Sequence, residues 1–311
     1  VEAVRRRVIN TDRSVGFLLS GGLDSSLVAS IATHILGTRV TTFSIGAPNS
    51  PDIIAARKVA KYINSIHHEI TFDFDEAVKY VPNVIRAIES YDTTTVRAST
   101  PMWHLAKWIS ENTDCKVILS GEGADEIFGG YLYFMNAPNV DEFFAETQRR
   151  LRLLHQFDVL RSDRCTAAWG LEVRVPFLDR DFVETAMLID QNLKIADNCE
   201  KYVLRKAFEG WLPTDILWRR KDAFSDAVGY GWPGRLRMEG EKISDYDFKR
   251  IKDIARKHNC PLTKEEAWYR QIWWDNFGYD NDHLISEIWR PRWTDVQDPS
   301  AQLLDNFKTA N

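Results

Sequence analysis

A short glycine-containing loop near residue 20 constrains the fold more than any other feature of the sequence. An apolar run, residues 15–19, precedes the loop, and apolar residues recur at helical spacing over residues 23–36 after it. A buried strand that turns directly into a helix is typical of a parallel sheet with helices on its faces. The loop consists of Ser20, Gly21, Gly22, Leu23, Asp24, Ser25 and Ser26.

The same alternation of strand and helix continues along the first half of the chain. Strand-like runs occupy residues 40–45, 68–72 and 116–119, and helix starts are expected at Ser50-Pro51-Asp52 and at Thr100-Pro101. We therefore predict an α/β fold with a doubly wound, mostly parallel sheet over residues of about 10–140. Helical periodicity then dominates, which predicts a mainly helical region at about 141–295 with no further strand. The tryptophan-rich stretch 265–293 is interpreted as packing.

Composition excludes several classes of protein. The 311 residues are 44% hydrophobic, enough for a large core, and the net charge of −5 argues against nucleic acid as the main partner. No apolar run is long enough to cross a membrane, and no signal peptide is visible. The four cysteines lack metal-ligand spacing, which favours a reducing, cytosolic location. Residue 1 is Val rather than Met, so we expect that upstream sequence was removed or left out.

The first loop has the features of a phosphate site. Gly21 and Gly22 let an anion approach the backbone amides, and a helix that begins near Leu23 directs free N–H groups at it. Asp24 would repel phosphate unless a cation lay between them, so Asp24 is a candidate Mg²⁺ ligand. The loop lacks the patterns of a Walker or a dinucleotide-binding motif. A capped turn with no ligand is the alternative.

A second loop of similar character follows the predicted fourth strand. Because the first and fourth strands of a doubly wound sheet are neighbours, both loops are expected to face one crevice. Asp24 and Asp125 are then placed to hold Mg²⁺ from opposite sides, and Glu122 to exchange a proton at the reacting centre. A solvated, capped turn is again the alternative. This loop consists of Ser120, Gly121, Glu122, Gly123, Ala124, Asp125 and Glu126.

With these two loops the sequence resembles a known family. The first loop is similar to the pyrophosphate loop of the N-type ATP pyrophosphatases, whose fold is of the adenine-nucleotide α-hydrolase type. Both loops together resemble the synthetase domain of glutamine-dependent asparagine synthetases, here taken as residues 1–311. Ala124 stands where many relatives have Ser, and the family's N-terminal glutaminase domain is absent. The matching stretches are 20–26, 50–52, 91–92, 94–99, 120–126, 128–131, 169–179, 218–221 and 224–226.

The resemblance implies a ligase reaction that uses ATP and Mg²⁺. In the family, the side-chain carboxylate of aspartate attacks the α-phosphorus of ATP, which gives β-aspartyl-AMP and pyrophosphate. Ammonia then displaces AMP to give asparagine. The expected partners are aspartate, ATP and ammonia, with a glutaminase domain in the full protein. A homodimer is compatible with the sequence, and no nucleic acid or membrane partner is expected.

By motif match, the resemblance also implies roles for individual residues. Leu18 and Ile45 would contact adenine or ribose, and Ser120 and Gly121 would bind the nucleotide. Residues 20–26 would hold pyrophosphate, while Asp24 and Asp125 would bind Mg²⁺, with Asp125 also in the substrate site. Glu122 would deprotonate or guide ammonia, and Lys221 would stabilise charge on the α-phosphate. The aspartate and phosphate site would be shaped by Thr94, Arg97 and Arg174. Arg219 and Arg220, beside Lys221, receive no role.

Three other functions fit parts of this pattern. A β-lactam synthetase-like enzyme would share the pyrophosphate loop and differ in the pocket for the acyl substrate. A tRNA-modifying enzyme that adenylates a base is disfavoured by the negative net charge. A non-catalytic scaffold is disfavoured by the intact acids Asp24, Glu122 and Asp125.

Overall fold

Over the described residues, five parallel strands form the central sheet. The structure, a computed structural model, describes residues 1–300. The strand order is β3-β2-β1-β4-β5, and every neighbouring pair is parallel. The predicted α/β fold with a doubly wound sheet is confirmed. The strands are β1 (Ser14–Leu18), β2 (Thr41–Gly46), β3 (Ile66–Thr71), β4 (Cys115–Leu119) and β5 (Glu172–Arg174).

Helices cover both faces of this sheet and form most of the chain after residue 140. Among the described residues, no helix is both long enough and apolar enough to cross a lipid bilayer. The α-helices are α1 (Glu2–Ile9), α2 (Leu23–Leu36), α3 (Pro51–Tyr62), α4 (Phe74–Ala77), α5 (Val81–Ile88), α6 (Thr93–Asn112), α7 (Ala124–Phe128), α8 (Val140–Leu153), α9 (Asp158–Ala167), α10 (Arg180–Met187), α11 (Tyr202–Ala207), α12 (Thr214–Leu217), α13 (Phe224–Ala227), α14 (Trp232–Gly240), α15 (Asp245–Ala255) and α16 (Lys264–Phe277).

The sheet has a hydrophobic core on each face because its strands are buried on both sides. Side chains alternate along a strand, so Phe17 and Leu119 contribute to one core while Phe43 and Ile118 contribute to the other. The tryptophan-rich region belongs to the second of these cores, where Trp273 is buried on α16. The interpretation of this stretch as packing is confirmed.

The expectation that no strand follows residue 140 is wrong. β5 pairs with β4 and extends the sheet at its edge, and Ser120 N donates a 3.0 Å hydrogen bond to Arg174 O just beyond the pairing. A strand of three residues is too short to show the alternation of apolar and polar residues that predicts a strand, so no pattern in the sequence indicated β5. The strand is nevertheless important to the site, because it supports the start of the second loop.

The expected helix start at Thr100-Pro101 is also wrong. α6 begins seven residues earlier at Thr93, where the Asp92 carboxylate caps it by accepting from Thr95 N at 2.8 Å. Pro101 lies inside the helix and has no N–H to donate to Arg97 O one turn earlier. Trp232 Nε1 donates to that carbonyl instead, at 2.8 Å. A side chain from α14 thus satisfies the acceptor that the proline leaves free.

Candidate active site

Both glycine-containing loops open into one cleft beyond the carboxyl ends of β1 and β4. These two strands are neighbours, and the chain winds outward from them in opposite directions, which is where open parallel sheets bind ligands. Most of the predicted site residues line this cleft, namely Leu18, Ser20, Gly22, Leu23, Asp24, Ser25, Ile45, Thr94, Ser120, Gly121, Glu122, Asp125 and Lys221.

The two loops pack against each other at Gly121. A Cβ atom at this position would lie 2.7 Å from Ser25 N and 2.8 Å from Asp24 C. Any side chain at residue 121 would therefore force the second loop away from the first. The absence of a Cβ here brings the acids of the two loops to the same end of the cleft.

Hydrogen bonds to its own serine hydroxyls fix the conformation of the first loop. Ser25 Oγ accepts from Ser20 N at 3.2 Å and lies 3.1 Å from Ser20 Oγ, which in turn accepts from Gly22 N at 3.2 Å. Gly21 has a positive φ of +74°, and a Cβ there would lie 2.4 Å from Ala56 N on α3. The loop therefore leads directly into α2, and the first backbone amides of this helix have no hydrogen-bond partner within the helix. This arrangement suits an anion.

Four charged side chains form what we call the lysine–aspartate cluster: Asp24, Asp125, Lys201 and Lys221. Lys201 Nζ lies 2.5 Å from Asp24 Oδ2 and 2.7 Å from Asp125 Oδ1, and Lys221 Nζ lies 2.6 Å from Asp125 Oδ2. Burial raises the pKa of Asp125, but the charges of Lys201 and Lys221 outweigh it and hold that pKa below its ordinary value. Burial likewise lowers the pKa of Lys221, and Asp125 and Asp24 more than reverse the effect. All but Lys201 were predicted from the sequence to be site residues.

Glu122 lies three residues before Asp125 in the second loop and is paired with an arginine. Arg161 Nη2 donates to Glu122 Oε1 at 2.8 Å and to Asp158 Oδ1 at 2.7 Å. Burial raises the pKa of Glu122, and the negative charge of Asp158 adds to this, while Arg161 opposes both. A carboxyl group with a raised pKa, at the edge of a cleft, suits proton transfer near neutral pH.

A tyrosine hydroxyl links Asp158 to a second buried carboxyl group. Tyr131 Oη lies 2.6 Å from Glu126 Oε1 and 2.9 Å from Asp158 Oδ2. The hydroxyl has one proton to donate, so one of the two carboxyl groups must carry a proton of its own. Burial, followed by the charges of Asp158 and Asp125, raises the pKa of Glu126 to about 8. We therefore assign the proton to Glu126.

Four of the predicted site residues do not line the cleft. Gly21 packs against α3, and Ser26 is fully buried within α2. Arg97 is buried among acids of other elements, with Nε and Nη2 2.8 Å from the Glu265 carboxylate and Nη1 2.8 Å from Asp298 Oδ1. Arg174 lies at the sheet edge, where its Nη1 donates to the carbonyl of Arg7 at the end of α1.

The geometry of α6 explains why the Arg97 side chain points away from the cleft. The face of α6 that lines the cleft carries Thr94, Ala98 and Met102, at intervals of one helical turn. Arg97 is one residue before Ala98, hence about 100° around the helix axis. Its side chain points instead to the interface with α16.

Several cleft residues were missed by the sequence reasoning. Three of them, Asp158, Arg161 and Lys201, come from the second half of the chain, and the fourth, Tyr131, follows α7. Asp158 and Arg161 are three residues apart on α9, a spacing that sequence alone does not distinguish from an exposed ion pair. Lys201 precedes α11 with no glycine-rich motif around it. Tyr131 offered the clearest signal, since it ends the matched stretch 128–131.

Arg219 and Arg220, which received no role, also line the cleft. Arg219 Nη2 donates to Asp52 Oδ1 at 2.9 Å, and Asp52 is buried at the first turn of α3. Burial raises the pKa of Asp52 to about 6, although Arg219 opposes the shift. This pair attaches the segment that carries Lys221 to the first turn of α3.

The cluster offers ligands of the kind that Mg²⁺ prefers. Asp24 Oδ1 is buried and accepts no hydrogen bond from residues 1–300, whereas Asp125 Oδ1 has only Lys201 Nζ near it, at 2.7 Å. Mg²⁺ is commonly bound by one or two carboxylates together with phosphate oxygens and water. Within the same residues, no group of three or more His, Cys, Asp or Glu side chains is arranged to hold a metal ion. The residues present therefore fit an ion that shares its coordination with a phosphate ligand.

Comparison with known proteins gives a consistent picture over almost the whole chain. A probable glutamine-hydrolysing asparagine synthetase of Acanthamoeba polyphaga mimivirus is 47% identical over 97% of this chain and 56% of its own length. The glutamine-hydrolysing asparagine synthetase of Gallus gallus is 44% identical over 99% of this chain and 56% of its own length. The chain thus spans little more than half the length of these curated relatives. A solved NAD⁺ synthetase from Burkholderia pseudomallei, 14% identical, covers 76% of this chain and 85% of its own with a TM-score of 0.28, which is too low to support any inference.

The asparagine synthase family model matches residues 1–153 and 136–294, well over half of the sequence. This match and the relatives above 40% identity agree with the two loops and with the cleft between them. The chain belongs to the asparagine synthase family.

Proposed function

We propose that this chain carries out the ATP-dependent synthesis of asparagine from aspartate. The aspartate side-chain carboxylate attacks the α-phosphorus of ATP, the bond from that phosphorus to the bridging oxygen breaks, and pyrophosphate leaves. Ammonia then attacks the β-carbonyl of the resulting β-aspartyl-AMP, loses a proton and displaces AMP. The observation that carries the proposal is the lysine–aspartate cluster, placed between two phosphate-type loops in a member of this family.

The first half of the reaction requires fixed positive charge and N–H donors around the phosphates. In the proposal, the backbone and hydroxyls of residues 20–26 hold the departing pyrophosphate, and the first amides of α2 point at it. Lys221 stabilises charge on the α-phosphate, since it is partly buried, positively charged and at the cleft. Leu18 and Ile45 contact the nucleoside from the ends of β1 and β2, and Ser120 and Gly121 contact it from the second loop.

Mg²⁺ is proposed to bind with the nucleotide through Asp24 and Asp125, and the unpaired Asp24 Oδ1 and the shared contact of both carboxylates with the Lys201 ammonium group support this role. When bound, the ion neutralises charge on the phosphates.

In the second half of the reaction, a proton must leave the attacking nitrogen. Glu122 is proposed to accept or guide that proton, because it lines the cleft, has a raised pKa and is held in place by Arg161. Thr94, from the cleft face of α6, is proposed to contact aspartate, and its Oγ1 has no hydrogen-bond partner among residues 1–300. The roles implied for Arg97 and Arg174 by resemblance receive no support from their positions.

The source of ammonia is proposed to lie outside this chain. The relatives are described as glutamine-hydrolysing, and 44% of the length of the mimivirus protein falls outside the matched part. We propose that a glutaminase domain in that part supplies ammonia to the cleft. Free ammonium should then support the reaction of the chain by itself.

The test is aspartate-dependent exchange of labelled pyrophosphate into ATP, followed by asparagine formation on addition of ammonium chloride. The chain should catalyse both, and Asp24→Asn should lose the exchange. Asp12→Asn, a change at an exposed acid before β1, is the matched control and should behave as wild type. No exchange with aspartate, in the presence of ATP and Mg²⁺, would overturn the proposal.

The same assay distinguishes asparagine synthesis from the alternative, a β-lactam synthetase-like activity. Exchange that depends on a larger carboxylate substrate and not on aspartate would favour it. The family match and the relatives favour asparagine synthesis. A cytosolic location and a homodimer remain proposals, to be tested by cell fractionation and by sedimentation velocity.

A further inference from the structure

Lys201 is the member of the lysine–aspartate cluster for which the proposed reaction has no role. Its side chain is 1% exposed, and its ammonium group lies between one carboxylate from each loop, 2.5 Å from Asp24 Oδ2 and 2.7 Å from Asp125 Oδ1. The two carboxylate oxygens therefore lie within roughly 5 Å of each other, a separation at which like charges repel strongly in a buried site. Lys201 is the group that keeps them together.

The backbone at Lys201 adopts a conformation that is uncommon for this residue type. Lys201 has φ of +56° and ψ of 29°, in the left-handed region that residues with a Cβ seldom occupy. Such a conformation persists only where the surrounding structure enforces it, and it is most often found at functional sites. Here it directs the lysine inward, just before the start of α11.

Gly130 provides the space through which this side chain reaches the cluster. A Cβ on residue 130 would lie 2.1 Å from Lys201 Cε and 2.2 Å from Asp125 Oδ1. Gly130, just after α7, thus leaves room for both the lysine and the carboxylate that the lysine contacts. Three separate features, the backbone of Lys201, the missing side chain at Gly130 and the two ion pairs, converge on one position for the ammonium group.

The ammonium group occupies the position that a cation between Asp24 and Asp125 would take. The formal charges of the cluster, two carboxylates and two ammonium groups, sum to zero. A divalent ion that approached the nucleotide-free cluster would meet no net negative charge and would compete with Lys201 for both acids. The phosphates of a nucleotide change this balance, because they bring negative charge for the ion and a new partner for the lysine.

We propose that Lys201 acts as a built-in cation that excludes divalent metal from the nucleotide-free cleft, so that the metal binds only together with the nucleotide. The inference rests on the proposed ATP-dependent function. The order of events is then set by charge: Lys201 holds Asp24 and Asp125 in place, and the metal–nucleotide complex separates Lys201 from at least one of them. The lysine turns toward the phosphates as it is released.

Titration with Mn²⁺, followed by electron paramagnetic resonance of the free ion, tests this directly. The wild-type chain should bind no Mn²⁺ at millimolar concentration when alone, and should bind it when α,β-methylene-ATP is present. Lys201→Met and Lys201→Gln should bind Mn²⁺ without nucleotide at least tenfold more tightly than wild type. Lys206→Met is the matched control, because Lys206 lies on α11, is exposed and pairs with Glu209. It should behave as wild type.

The outcomes separate this inference from the proposed function. Stoichiometric binding of Mn²⁺ to the wild-type chain without nucleotide overturns the inference and leaves the proposed function standing. Failure of the wild-type chain to bind Mn²⁺ with α,β-methylene-ATP counts against the proposed function itself. If both Lys201 variants unfold, as thermal melting would reveal, the two wild-type titrations still decide the matter.

Discussion

Arg161 Nη2 donates a 2.8 Å hydrogen bond to Glu122 Oε1, and this contact joins α9 to the second loop at the cleft. The same guanidinium group contacts Asp158, so one buried cation serves two acids. Burial raises the pKa of Glu122, and Arg161 limits the increase. Arg161 is therefore a positioning residue that also sets the pH at which Glu122 becomes ionised.

The first prediction concerns the pH profile of amide formation. If Glu122 takes a proton from ammonia, it must be ionised, and asparagine formation should fall as the pH drops through its raised pKa. Arg161→Gln removes the cation that favours the ionised form, so the midpoint should move to higher pH, by about one unit. The measurement is asparagine formation from ammonium at several pH values, with pyrophosphate exchange recorded in parallel.

Glu122→Gln is the companion variant. It should lose amide formation by about 100-fold or more while pyrophosphate exchange continues, because the first half-reaction does not need this base. A midpoint in Arg161→Gln equal to that of wild type would show that Arg161 has no influence on the ionisation of Glu122.

The second prediction concerns Gly130. Gly130→Ala would place a methyl carbon 2.1 Å from Lys201 Cε and 2.2 Å from Asp125 Oδ1, which is too close for either side chain to stay in place. We expect the variant to fold, since Gly130 has a negative φ, but to lose pyrophosphate exchange by at least tenfold because the lysine–aspartate cluster is displaced. Gly234→Ala is the matched control, because Gly234 also lacks a positive φ and has open space where the methyl group would lie. Normal exchange in Gly130→Ala would contradict the packing described for Lys201.

The elements that the sequence predicted well are those with local signals. The first four strands, α2 and both loops have apolar runs or glycines at the places where the chain must turn, and their adjacency follows from the rules of doubly wound sheets. The cleft could therefore be predicted as the meeting point of residues 20–26 and 120–126.

The parts that escaped prediction depend on contacts far apart in the chain. Lys201 reaches Asp24 across 177 residues, and Arg161 reaches Glu122 across 39. A buried lysine with two acid partners carries no periodic pattern, since its neighbours in sequence are not its neighbours in space. Arg97 is the opposite case. A motif match implied a role in the site, but the position of Arg97 on α6 directs its side chain toward Glu265 and Asp298.

The third prediction follows from the position of Arg97. Its guanidinium group is buried and paired with Glu265 and Asp298, so Arg97→Ala would leave Glu265 buried without a cation. The expected cost is about 3–5 kcal/mol of unfolding free energy, measured by urea denaturation. Arg174→Ala, at the partly exposed sheet edge, should cost much less. If Arg97→Ala retained wild-type stability and lost aspartate-dependent exchange, the role implied by resemblance would be restored.

The fourth prediction concerns the proton on Glu126. Its pKa in the folded protein, about 8, lies above the ordinary value of 4.5, so the folded state binds more protons than the unfolded state between these two values. The stabilisation due to this proton is complete below pH 4.5 and is lost as the pH rises toward 8. The loss should be on the order of 4 kcal/mol, measured by denaturation at pH 5 and at pH 8.5.

Glu126→Gln places an uncharged donor where the protonated carboxyl group now lies, beside Tyr131 Oη at 2.6 Å. It should fold at pH 8.5 with nearly the stability that it has at pH 5, so the pH dependence assigned to Glu126 should disappear. Glu142→Gln, at an acid on α8 that is half exposed, is the control and should keep the wild-type dependence. The same pH dependence in wild type and in Glu126→Gln would contradict the assignment of the proton to Glu126.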